Sequence, residues 1–396
     1  MLPLEGIKVV DMAQVFMGPG AALYLGDQGA EVIKVEPLAG DSTRWLHTTP
    51  YLVAHGFSKP FLALNRNKRS IALQARSEEG LDIVQRLVRW ADVFILNLRP
   101  GTEGEMRLDY ESLAAINPRL IYVTISAFGY EGPENSLPGY DIIIQSRSGM
   151  LSTRRDSDGT PVPSVIMVSD ISGCMSLSYA IMVALWERER TGKGQRIDGS
   201  LLHSGLAMQM QQLVWVENDN TPLPGQRPTA LATCYLCADD RWITIVLIEH
   251  HQFKSLCRVM ELEHLADDPR FVTYEQRLDQ ATELHEILEA IFQTRSLEEW
   301  IMRLRAAGVP CSPVVERGDV PDDPQTIANR MLQVQDHPAV GKIKVVSPPF
   351  NLSNTRDENR LRRPAPGLGE HTVEVLRDLG YDEESISILQ KKKLVG

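Results

Sequence analysis

Nowhere in the 396 residues do eighteen apolar residues stand in a row, so no transmembrane helix is expected. The opening "MLPLEGIKVVDM" has no basic start and no apolar stretch ending in a small-residue cleavage site, so no signal peptide is expected. Positive charge is in deficit. Lys and Arg number 41 against 52 Asp and Glu, a formal net charge of −11. That argues against nucleic acid as the main partner, though not against a phosphorylated small molecule, which needs only a local basic site. Cysteine is scarce, and its count of five is odd. Reduced thiols in a cytoplasmic protein fit such usage. Cys234 and Cys237 make one C-x-x-C, but no second pair and no H-x-x-x-H follows. On a β-run these two thiols have opposite parity and face opposite sides. Adjacent His250 and His251 are not a metal motif either, so no metal is expected. G-x-S-x-G and Walker sequences are missing, which leaves a serine hydrolase and an ATP-dependent ligase without support.

What is present alternates. "GIKVVDM" reads as a strand, "MGPGAALYLGDQGA" as a turn and helix, and "EVIKVEP" as a second strand. "LDIVQRLVRWADVFILNL" and "DYESLAAINPRLIYVTISAFG" each repeat helix then strand. Three such alternations predict a doubly wound α/β domain with a parallel sheet. Gly18 and Gly20 in "MGPG" begin a dinucleotide fingerprint, but its third glycine is missing. A chain this long calls for two domains. Proline and glycine cluster near 222–228, which suggests a linker. The expected division is a large domain over 1–200, a linker over 201–224, a smaller α+β domain over 225–315, and a return to the large domain over 316–396.

One acid stands apart. In "VSDISGCMSLSYAIMVALWERERTGKGQ", Asp170 sits at the mouth of a long apolar segment. On the residues alone it reads as a helix N-cap. Chemistry is the other reading.

Several stretches, taken together and in order, resemble the class III coenzyme A transferases, the formyl-CoA transferase and carnitine CoA-transferase family. They are "LEGIKVVDMAQVFMGPGAALYLGDQGAEVIKVEP", "NRNKRSIAL", "NLRPGT", "NPRLIYVTISAFGYEGP", "PGYDIIIQSRSGM", "ERERTGKGQRIDGSLL", "AGVPCSPV" and "PGLGEHTVEVLRDLGYD". The resemblance spans nearly the whole chain. It implies a Rossmann-like large domain built from both chain ends, a small domain, and two subunits threaded like linked rings. The partner would be a second copy or a related chain. It makes Asp170 the nucleophile, forming acyl anhydrides and an aspartyl-CoA thioester, with acyl-CoA and a carboxylic acid as substrates and no other cofactor. A helix N-terminus offers such a carboxylate a dipole and free N–H donors for the oxyanion.

The resemblance also places Val15, Phe16 and Met17 against pantetheine, and Leu73, Arg76, Asn97, Leu98, Arg99, Gly129 and Tyr130 along coenzyme A. Some positions depart from it. Pro37 and Glu105 stand where relatives carry basic residues, with Arg107 two residues further on. "VLIEHHQF" stands where formyl-CoA transferase has a glycine-rich loop. Related racemases have a histidine where this chain has Tyr140, while Glu249 matches a racemase glutamate, so α-methylacyl-CoA racemase chemistry stays open. So does an inactive CoA-binding partner subunit. Arg147, Arg154 and Arg155 lie just before the Asp170 segment. They suit the second carboxylate of an acid such as succinate, or they are an exposed basic loop.

Overall fold

The computed structural model describes residues 2–46, 49–218, 229–355 and 360–396. These form two compact units, Met1–Val214 with Ala328–Gly396, and Trp215–Ile327. The sequence placed the corresponding boundaries near 225 and 315.

In the larger unit six short strands form a parallel sheet: β1 (Lys8–Asp11), β2 (Glu31–Glu36), β3 (Lys68–Ala72), β4 (Val93–Leu96), β5 (Ile121–Ser126) and β6 (Gln195–Ser200). Four of them, β1, β2, β4 and β5, are rich in β-branched residues. Their order is β3-β2-β1-β4-β5-β6. A parallel sheet must be covered on both faces, and the strand period of two supplies apolar side chains to each. Val10, Phe94, Leu96 and Tyr122 face one layer, packed with Ile83 and Leu87 and with Val375, Leu376 and Ile386 from the chain's end. Val9, Val93, Ile95 and Val123 face the other, packed with Ala21, Leu25, Leu177 and Ile181. The covering helices include α1 (Met17–Asp27), α2 (Glu78–Trp90) and α4 (Val168–Thr191), with α3 (Asp141–Arg147) and α5 (Leu201–Ala207) adding Ile144 and Leu201 to the second layer. Helices on both faces and a strand order that reverses between β1 and β4 make a doubly wound sheet. Ligands of such sheets bind at the reversal, beyond the strands' carboxyl ends.

The glycines of "MGPG" serve packing. A Cβ on Gly18 would stand 2.3 Å from the Ala13 Cβ, and one on Gly20 would stand 2.2 Å from the Cys174 Sγ. On the facing helix, a Cβ on Gly173 would meet the Met17 Sδ at 2.7 Å. α1 and α4 therefore approach closely where both begin. α4 is also long and apolar enough, by length and composition alone, to cross a membrane, with a mean hydropathy of 1.5 over its best window. Half of that window is buried inside the molecule. Of the expected linker, 201–207 is the helix α5, while 219–224 and the glycine and proline positions up to 228 lie outside the described residues.

The smaller unit joins β7 (Ala232–Leu236), β8 (Trp242–Val246) and β9 (Cys311–Pro313) in an antiparallel sheet. α6 (His250–Val259), α7 (Ala281–Phe292) and α8 (Leu297–Ala306) close its core around Tyr235, Ile243, Phe253, Leu284, Phe292 and Trp300. Cys234 in β7 is exposed, and Cys237, one residue past that strand in the turn to β8, is buried. Beyond this unit a hairpin forms, β10 (Leu332–His337) with β11 (Gly341–Val346). The chain's end then returns to the large sheet. Gly396 donates its N–H to the Ala72 carbonyl, and His371 donates to that of Ser70. α9 (Thr372–Asp378) and α10 (Glu383–Lys391) follow this edge.

Candidate active site

Asp170 does not cap its helix. The N-cap of α4 is Met167, which makes no side-chain cap, and Asp170 stands three residues on, in the first turn. The cap comes from another helix. The carboxylate of Asp141, at the start of α3, accepts from the N–H groups of Ser169 (2.7 Å) and Asp170 (3.1 Å). Two of the donors expected to serve an oxyanion are thereby occupied, a correction to the sequence reading. The Asp170 side chain is left for other work. It is buried, at 7% exposure, and no hydrogen bond reaches its carboxylate among the described residues. Burial pushes this carboxyl up to about 7, and the nearby Asp141 charge adds to the rise. One turn on, the Cys174 thiol is pushed up to about 12 by burial and by Asp170, so it does not compete as a nucleophile.

Asp170 opens into a cleft of about 230 Å³ beyond the ends of β1, β4 and β5, where the strand order reverses. Val15, Phe16, Met17, Asn97, Leu98, Arg99 and Tyr140 line it, together with Gln14, Ser126 and Leu201, which the sequence reading did not name. A second cavity of about 230 Å³ holds Leu73, Arg76 and Pro37 and shares Gln14 and Leu98 with the first. Eight of the ten residues expected along coenzyme A thus line these two adjoining cavities. Tyr130 does not. It faces a separate depression, with Arg196 over its ring at 4.9 Å and its hydroxyl bonded to that of Thr124. Gly129 precedes it at φ 106 in a turn and lines neither cavity.

The other candidates lie elsewhere. Arg147 pairs with Glu134 at 3.2 Å on the outer side of α3. Arg154 and Arg155 are exposed in a small β-turn, where Arg155 donates to the Gly159 carbonyl. None of the three lines the Asp170 cleft, so the expected carboxylate clamp is not assembled there. Glu249 belongs to the smaller unit, where its side chain and that of Gln252 form the capping box of α6. Arg107 is taken up by an exposed ion pair with Glu78 at 2.8 Å. Among the described residues no cluster of three or more metal-binding side chains occurs.

Sequence reasoning also missed the floor beneath the cleft. Lys34 in β2 lies 2.9 Å from Asp41, and Lys68 in β3 lies 2.8 Å from Asp11, all four side chains fully buried. Burial pulls the Lys68 ammonium down to about 8 despite Asp11. Burial also opposes the Lys34 charge, but Asp11, Asp41 and Glu36 outweigh it and raise its pKa. A lysine inside the apolar run "EVIKVEP" was the available signal, since a buried lysine requires a partner.

Residues 4–372 match the profile of CoA-transferase family III. A succinyl-CoA:glutarate CoA-transferase of Mus musculus is 35% identical over 98% of this chain and 89% of its own length. A succinate–glutarate CoA-transferase of Agrobacterium fabrum is 34% identical over 95% of this chain and 96% of its own. The crystal structure of a CAIB/BAIF family protein from Brucella suis superposes with a TM-score of 0.82 at 32% identity, over 96% of this chain and 99% of that one.

Proposed function

The chain belongs to CoA-transferase family III and is a CoA-transferase, and from that premise we propose that Asp170 carries coenzyme A from succinyl-CoA to a second dicarboxylic acid, glutarate foremost. The observation that carries the reading is Asp170 itself. A buried carboxylate without a hydrogen-bond partner among the described residues stands in a cleft at the sheet's reversal point. Burial strips water from such a group and raises its reactivity once ionised.

In the proposed sequence, an Asp170 oxygen attacks the thioester carbonyl, the C–S bond breaks, and the CoA thiolate leaves with the electron pair. The thiolate then attacks the aspartyl carbonyl of the resulting anhydride, which releases succinate and leaves an aspartyl-CoA thioester. The acceptor carboxylate attacks that thioester and expels the thiolate again. Attack of the thiolate on the acceptor's carbonyl forms the new acyl-CoA and restores the Asp170 carboxylate. No net proton is consumed. Coenzyme A would run along the two adjoining cavities, with Val15, Phe16 and Met17 as apolar wall and with Arg76 and Arg99 as cations for phosphate. Met17 lines the same cleft, and its N–H, in the first turn of α1, has no acceptor within its own helix.

Two subunits complete the proposal. One face of α4 presents Ile171, Met175, Tyr179, Met182, Val183 and Trp186 exposed, a stripe that a second copy would cover. The five cysteines are unpaired, in keeping with a reducing compartment such as the cytoplasm.

The test is chemical trapping. The protein is incubated with succinyl-CoA, quenched with hydroxylamine, and its peptides are mapped by mass spectrometry. A hydroxamate confined to the peptide bearing Asp170, and missing in Asp170→Ala, is expected. Transfer of CoA to glutarate without any adduct on that peptide would overturn the covalent role. Release of α-protons to deuterated solvent without transfer would favour racemase chemistry instead.

A further inference from the structure

The loop that joins β1 to α1 is held residue by residue. The Ala13 carbonyl accepts from Lys34 Nζ at 3.0 Å. The Asn97 side chain brackets Gln14, accepting from its N–H at 2.9 Å and donating to its carbonyl at 2.7 Å. Asp41 accepts from the Val15 N–H at 3.4 Å and lies 2.9 Å from Lys34. The Phe16 carbonyl receives the Cys174 thiol at 3.5 Å. Four consecutive residues are thus gripped by side chains from four different parts of the chain.

The gripped segment is strained. Val15 has φ 74, in the left-handed region. A β-branched residue avoids that region because its Cβ crowds the backbone, and it stays there only when its surroundings impose it. Gln14, Val15, Phe16 and Met17 are also the wall that faces Asp170.

We propose that Asn97, together with the buried Lys34–Asp41 pair, is a positioning residue that holds Val15 left-handed and so keeps the 14–17 wall in register with Asp170. The inference rests on the transferase reading of that cleft. It gives Asn97 a role that the family resemblance did not, since its amide is engaged by the Gln14 backbone. Its loss should therefore fall on kcat, while contact with coenzyme A would make it fall on KM.

Two measurements test this. In steady-state transfer from succinyl-CoA to glutarate, Asn97→Ala is expected to lower kcat by about tenfold with the succinyl-CoA KM changed by less than about threefold. Adding Val15→Gly should restore much of the lost kcat, because glycine takes a positive φ without strain. Adding Val15→Ala should not, because alanine removes the same wall atoms but keeps the Cβ. Equal rescue by alanine, or a loss confined to KM, overturns the proposal. Where Asn97→Ala does not fold, Asn97→Asp carries the test. It keeps the acceptor for the Gln14 N–H, loses the donor to its carbonyl, and should give an intermediate kcat.

The second measurement needs no substrate. Amide hydrogen exchange of the peptide covering residues 12–18 should quicken in Asn97→Ala and be unchanged elsewhere in the sheet. Unchanged exchange in that peptide sinks the proposal. A wild-type protein that transfers no CoA would sink the transferase reading, and the exchange experiment would still decide the clamp.

Discussion

Asp170 is built to resist ionisation. Its ordinary value of 3.8 rises to about 7, first through burial and then through Asp141. The sign for stability follows. Below pH 3.8 the folded and unfolded chains both hold the proton, and the site costs nothing. Between there and about pH 7 the unfolded chain releases it first, so stability falls as pH rises. Above pH 7 the folded protein bears the full penalty, roughly 4 kcal/mol for a shift of this size. Asp170→Asn should therefore leave stability unchanged near pH 4 and raise it most above pH 7.5, as read by urea unfolding at the two values. Activity should run the other way, since the nucleophile is the ionised form: kcat/KM should climb with pH through about 7. Asp141→Asn keeps an oxygen to accept from Ser169 and Asp170 but removes the charge. It should move that climb to lower pH, and a pH–rate profile that does not shift would show that Asp141 acts only as a cap.

The two helices that frame the site are locked by small residues. Gly20 of α1 faces Cys174 of α4, with no room for a methyl group at 2.2 Å from the thiol sulfur. Gly20→Ala is expected to destabilise the protein by about 1–3 kcal/mol through overpacking. Adding Cys174→Ala should return part of that, measured as the shift in urea midpoint; additive losses would mean that the contact does not couple the two helices. At this scale the sequence was most legible. Apolar runs such as "VFIL" and "IYVTIS" announced β4 and β5, and their alternation with helices announced a parallel sheet. The site was legible only in part. Asp170 stood out, yet its capping partner lies 29 residues upstream, and no local spacing relates the two. Val15 sits in an ordinary apolar triplet, so its left-handed backbone is imposed by Lys34, Asp41 and Asn97 from distant segments. Such features arise from tertiary contacts, which periodicity does not encode. For the same reason the arginines at 147, 154 and 155 left two readings open, a carboxylate clamp and an exposed basic loop, since a charge count along the chain says nothing of which way a loop faces.

At the scale of the molecule, α4 poses the sharpest question. Its inner face buries Leu177, Ile181 and Leu185 in the sheet's core. Its outer face exposes Tyr179 at 73% and Trp186 at 69% among other apolar side chains. A 24-residue helix that is apolar on both sides must be covered twice, by protein or by lipid. Lipid is disfavoured by the helix itself, because its last turns carry Glu187, Arg188, Glu189 and Arg190, and Arg188 is buried in an ion pair with Asp92 at 2.9 Å. A lipid-facing helix would strand that pair at the membrane's edge, whereas a second protein chain would leave it in place. The proposed dimer therefore predicts a detergent-free protein at twice the chain mass by light scattering, at every concentration tested if the two rings are linked. Tyr179→Asp with Trp186→Asp should abolish that species and send the chain to aggregates, because an interlocked partner has no stable monomer to fall back on. A monodisperse single chain, unchanged by those substitutions and fully active, would leave the outer face of α4 without a partner and would remove the second subunit from the proposal.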